Sequence, residues 1–219
     1  MTERVASKRR NAANPNRHGT KPSAKDKFEL WLSTSRTIDG LWVGSCARDR
    51  KNEREITLRR VEEALRLIKL YDPLSYSRII RDLKRIWVNL VPHYNAWYLH
   101  PLQACVLDER YVLSETTTLE QIALTIIHEA THARLERCGI DYDEKLRQRI
   151  EAVCLRREFA FVAKLPNGAK LRDELARTLE WSTANRITTR ISASASAGLK
   201  VKRERFVILG RPSGLFTRY

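Results

Sequence analysis

Leu119-Glu-Gln-Ile-Ala-Leu-Thr-Ile-Ile-His-Glu-Ala-Thr-His-Ala-Arg-Leu135 decides how this chain is read. Its centre, His128-Glu129-Ala130-Thr131-His132, has the form H-E-x-x-H. Leu119, Ile122, Ala123, Leu124, Ile126, Ile127, Ala130, Ala133 and Leu135 make the segment apolar nearly all round, the pattern of a buried helix. Residues four apart share a helix face, so both imidazoles can reach one ion. Glu129 sits about 100° around the helix from His128, beside that ion, where a carboxylate can act on water as a general base. With 5 His in 219 residues, such a pattern arises by chance only about 0.01 times. The alternative is a core helix with two hydrogen-bonded histidines. Burying two imidazoles and a carboxylate is costly unless something satisfies them, and a metal would.

A third ligand follows by elimination. His18, His93 and His100 all precede the motif, so no histidine lies downstream. Leu135 stands where H-E-x-x-H-x-x-G-x-x-H needs glycine. A carboxylate is therefore expected, and Glu151, 19 residues beyond His132, is the first choice. The first helix can end at Cys138-Gly139 with Gly139 as a left-handed cap. The chain then turns through Ile140, Asp141 and Tyr142, and a second helix capped by Asp143 brings Glu151 back. Asp141 and Asp143 are competing ligands, and Glu158, on the same face as Glu151, is a weaker one.

H-E-x-x-H followed after eighteen residues by glutamate resembles the gluzincin branch of the zincin metallopeptidases, over roughly residues 85–165. The resemblance implies His128, His132 and Glu151 as ligands of a zinc ion and Glu129 as catalytic base. It implies hydrolysis of peptide bonds in a peptide or protein substrate. It also implies an α+β, zincin-like fold, with a small antiparallel or mixed sheet packed on the H-E-x-x-H helix in mostly helical surroundings. In such folds an edge strand can hold a peptide by main-chain pairing; residues 111–113 or their neighbour are the candidate here. The chain departs from the thermolysin-like pattern, because Ile150 and Leu155 replace the polar residues that flank the ligand glutamate. No carboxylate that would orient a ligand histidine is identifiable. Tyr142, Arg156, His100 and Tyr98 are the candidates for stabilising the transition state. A catalytically weak or inactive binding or regulatory module is the alternative.

Outside the motif the elements follow from period and punctuation. Residues 28–34 read as a short helix or strand, 38–44 as a turn into a strand, and 46–54 as a charged connector. Residues 57–71 carry a helical stripe through Leu58, Val61, Leu65 and Ile68. Asp72-Pro73 opens a second helix with Ile79, Ile80 and Leu83 facing in. Strands are expected at 86–91, 95–100, 104–107 and 110–113, with Asp108-Glu109 as the turn between the last two. Thr117 or Thr118 caps the motif helix. Pro166-Asn167-Gly168 makes a turn. A long final helix runs from Leu171 through Ile191, and 206–209 is a late strand or docking segment.

A hydrophobic content of 42% allows a real core, expected as one domain over residues 28–193 between tails 1–27 and 194–219. The net charge of +15 is concentrated at the ends. Residues 1–27 hold eight Lys/Arg against two acids, and 198–219 hold six against one, together +11. Such tails can associate with nucleic acid; plain solvated charge is the alternative, since no aromatic-basic interleaving marks a specific reader. The four cysteines have no C-x-x-C spacing, and Cys138 and Cys154, which flank the motif, read as core thiols, with metal ligation as the alternative. No apolar signal region and no run of 18 apolar residues appear, so a cytoplasmic protein with no membrane span is expected. No glycine-rich phosphate loop or G-x-S-x-G nucleophile motif is present.

Overall fold

A computed structural model of the protein describes residues 21–46, 51–140 and 145–177. Most of both basic tails, Asp141, Tyr142, Asp143, residues 178–191 of the expected final helix and the segment 206–209 lie outside the described residues. The described residues form a mixed α+β structure around a five-stranded sheet.

The strands are β1 (Thr34–Ile38), β2 (Leu41–Ser45), β3 (Arg85–Asn89), β4 (Ala96–Leu99) and β5 (Ala104–Asp108), in the order β1-β2-β3-β5-β4. β1 and β2 are an antiparallel hairpin closed by Asp39-Gly40, whose φ values of 47° and 86° suit a two-residue turn with both residues left-handed. β2, β3 and β5 are mutually parallel, and β4 runs antiparallel on the outside of β5. Parallel strands lie between two layers and read as continuous apolar runs; all five residues of β5 are buried.

Alternate residues of these strands enter two cores. Val43, Ile86, Val88, Cys105 and Leu107 face the larger one, beneath α2 (Lys51–Tyr71) and α5 (Leu119–Arg137). Trp87, Ala104 and Val106 face the smaller one, joined by Trp42, Trp97 and Leu30. Leu30 belongs to α1 (Ala24–Leu32), and the Trp87 indole N–H donates to Ser33 Oγ at 3.2 Å at the end of that helix.

α2 buries Leu58, Val61, Ala64, Leu65 and Ile68 along the expected stripe, but it starts at Lys51, inside the stretch read as a connector. α3 (Pro73–Asp82) is capped by Asp72 as expected. α1 settles residues 28–34 as helix through Leu32 and reaches back to Ala24, into the stretch read as tail. A reciprocal capping box between Ser23 and Asp26 starts it. β1 was not anticipated, because its side chains are largely exposed and show no apolar alternation.

One expected strand is a helix. Residues 109–113 form α4 (Glu109–Leu113), and Asp108 is its N-cap rather than part of a hairpin turn. The Asp108 carboxylate accepts the Arg110 N–H at 3.3 Å, which ends β5 and begins the helical turn. Val112 is fully buried and the Tyr111 hydroxyl meets Thr125 Oγ1 at 3.1 Å, so this turn packs on α5. Residues 111–113 are therefore no sheet edge; the edge strand beside α5 is β4.

α5 contacts α2, α3, α6 (Arg147–Val162), β4 and β5, which accounts for its nearly all-apolar surface. A capping box between Thr118 and Gln121 opens it. Gly139, at φ 78°, closes it: its N–H bonds the Glu136 carbonyl and the Ile140 N–H bonds the Leu135 carbonyl, the paired pattern of a Schellman cap. Among the described residues, no helix is long and apolar enough to cross a membrane.

Asp82 ties α3 to α5. Its buried carboxylate meets Arg81 at 2.7 Å, Arg137 at 2.9 Å and Arg134 at 3.6 Å. Burial works to raise its pKa, but the three guanidiniums outweigh this and hold it below 3.8. The folded protein thus binds fewer protons here than the unfolded chain. The resulting stability is present above about pH 4 and lost as pH falls through the depressed native value. In urea titrations, Asp82→Asn should be about 1–3 kcal/mol less stable than wild type at neutral pH. The gap should narrow as pH drops below about 4.

Candidate metal centre

α5 and α6 pack side by side and bring six polar side chains together. α5 supplies His128, Glu129 and His132, at helical angles of about 0°, 100° and 40° from His128. α6 supplies Glu151, Cys154 and Glu158, whose three- and four-residue spacing puts them on one stripe. The two rings are 5.0 Å apart between centroids. His128 Nε2 lies 3.2 Å from Glu151 Oε2, and His132 Nε2 lies 3.9 Å from Glu151 Oε1. The sequence-predicted ligands His128, His132 and Glu151 are thus brought together. Asp141 and Asp143 lie outside the described residues.

Glu158 takes a different part from the one the sequence offered it. His128 Nδ1–H donates to Glu158 Oε1 at 2.6 Å, on the ring edge away from Glu151. Fixing Nδ1 in this way aims Nε2 at Glu151 and sets the tautomer, as an outer carboxylate does for a ligating histidine. The sequence signal was its position seven residues after Glu151, two turns along the same stripe.

Cys154 is fully buried, as its reading as a core thiol expects, and its Sγ also lies 3.7 Å from His132 Nε2. Its sulfur and one nitrogen from each of His128 and His132 all lie within 4.8 Å of one another, the possible metal-binding triad among the described residues. Cys138 departs from its reading as a core thiol, being exposed at the C-cap of α5.

Glu129, 8% exposed, points toward β4, where the Tyr98 backbone N–H bonds its carboxylate. Among the proposed transition-state stabilisers, Tyr98 and His100 both engage Glu136, one turn beyond His132. Arg156 is exposed, and Tyr142 lies outside the described residues.

The electrostatics follow from this packing. Burial pushes Glu129 up to about 7; the nearby Glu151 and Glu158 charges add to this, while His128 and the Tyr98 N–H oppose it. Burial, with repulsion from His128, lowers His132 to about 4 against the opposing charge of Glu151, which keeps the ring neutral near pH 7. Glu151 is drawn down to about 2: burial opposes its charge, but the His128 hydrogen bond and the charges of His128, His132 and Arg147 prevail. Burial also works against a charged His128. The Cys154, Glu151 and Glu158 interactions outweigh it and hold His128 well above its usual value. Burial raises the Cys154 thiol to about 12.

This donor set fits a zinc ion. Nitrogen and oxygen donors around a tetrahedral zinc lie about 3.3 Å apart, and a nitrogen–sulfur pair about 3.5 Å apart. The 3.2 Å His128–Glu151 and 3.7 Å His132–Cys154 separations approach those edges. A divalent ion would take the place of the proton that His128 Nε2 and Glu151 share. Two imidazoles with a carboxylate or thiolate suit a divalent transition metal, zinc among them.

No protein-family model matches the chain, and no curated protein or solved structure matches it.

Glu158→Gln should weaken zinc binding about 10–100-fold, because the amide no longer polarises His128 Nδ1–H. Competition with a chromophoric chelator measures this, and an unchanged circular dichroism spectrum shows that the fold is kept.

Proposed function

We propose that this protein is a zinc-dependent peptidase with a zincin-like fold. The observation that carries the reading is the convergence of His128 Nε2 and His132 Nε2 on the Glu151 carboxylate, at 3.2 and 3.9 Å, with Glu129 on the same helix. His128, His132 and Glu151 would hold the metal. Bound zinc would supply a Lewis acid for the scissile carbonyl and bring the pKa of water toward 7.

The chain's own groups have the remaining tasks. Glu129 takes the proton of the attacking water and passes it to the leaving amine nitrogen. The Tyr98 N–H holds one side of that carboxylate, so it does not swing away from the substrate. Glu158 keeps the His128 ring in one orientation. β4, at the edge of the sheet and next to α5, is placed to hold an extended peptide through main-chain hydrogen bonds. The mixed sheet against the motif helix is in keeping with the zincin resemblance.

A second reading is a non-catalytic zincin-like module that keeps its metal for stability. Cys154, close enough to His132 to complete a closed ligand set, favours it. Glu129→Gln separates the two. In a peptidase, the variant binds zinc as wild type does and loses about 10²–10⁴-fold in peptide hydrolysis. Equal zinc content with no hydrolysis by wild type on a mixed peptide library supports the second reading.

A further inference from the structure

Cys46 and Cys105 pack among apolar side chains, each within one of the two cores. Cys154 is just as buried, at 0% exposure, but lies outside both of those apolar clusters and beside the polar centre. Its surroundings are His132 at 3.7 Å and the charges of His128, Glu151, Glu129 and Glu158. A thiol that only filled space would gain more among aliphatic neighbours. Glu151 and Cys154 are three residues apart, so α6 presents a carboxylate and a thiol to the same pair of imidazoles.

We propose that Cys154 is a fourth protein ligand of the metal, giving a resting shell of His128, His132, Glu151 and Cys154. The proposal rests on the metal site of the peptidase reading and adds to it. Three protein donors leave a position open for water or substrate, whereas four close a tetrahedral shell. Cys154 then governs access: peptide hydrolysis requires its sulfur to leave the metal, and the protein at rest is guarded against indiscriminate cleavage.

Cobalt(II) loaded into the full chain tests the assignment, because a cobalt–thiolate bond gives a near-ultraviolet sulfur-to-metal charge-transfer band that nitrogen and oxygen ligands do not. The band is expected in wild type and in Cys138→Ser, whose thiol is exposed. It should be lost in Cys154→Ser and Cys154→Ala. Each of those variants should also bind zinc at least about tenfold more weakly, the smaller loss typical of removing even an outer partner. Circular dichroism identifies whichever of the two keeps its fold. Wild type that takes up cobalt without the band overturns the proposal and leaves the peptidase reading standing. A band that disappears with Cys154, in a protein that cleaves no peptide before or after the substitution, supports the proposal and removes the peptidase reading. Failure to take up cobalt overturns both.

Discussion

The imidazole of His128 is gripped on both edges, by Glu151 at one nitrogen and Glu158 at the other, at 3.2 and 2.6 Å. The arrangement of the centre follows from this clamp. The ring cannot rotate without breaking a charge-assisted hydrogen bond in a largely buried setting, where such bonds are strong and their loss is costly. Both carboxylates come from α6 and the ring from α5, so the clamp also fixes the register of the two helices.

That register is supported from behind. α5 is packed against helices and strands around most of its surface, and Ile122, Ala123, Leu124, Ile126, Ile127, Ala130 and Ala133 are buried along it. A Schellman cap stops it at Gly139, just beyond the last residue that the site uses. β4 completes the enclosure: the Tyr98 side chain reaches Glu136, and its backbone N–H reaches Glu129. Three glutamates thus surround two imidazoles in a space largely closed to water. An excess of buried negative charge is expensive alone and well matched to a dication.

The motif helix, its caps and the Glu151 contact were legible in the sequence because each depends on local spacing. Thr118, Gln121 and Gly139 mark helix ends, and a histidine pair on an apolar helix needs an acidic partner. The helix α4 was not legible. Tyr111 to Leu113 look β-prone, and only the Asp108 side chain, acting as a cap, turns them into a helix. β1 was hidden because an exposed edge of a hairpin carries no apolar alternation. Glu158 and Cys154 were visible as residues on the Glu151 stripe, but the sequence could not say which edge of His128 the glutamate meets. Nor could it separate Cys154 from Cys105, since both sit in apolar-looking stretches and only the fold sends one to the sheet and the other to the histidines.

The stripe on α6 ties half of the centre's side chains to one helical register. Glu151, Cys154 and Glu158 share a single helical face, so they are aimed by one angle rather than three. A residue inserted into α6 just ahead of Glu151 would swing the whole set about 100° away from α5. Substituting one of the three side chains alters one contact, whereas a change in the register of α6 moves all three at once and leaves the sheet and both apolar cores where they are.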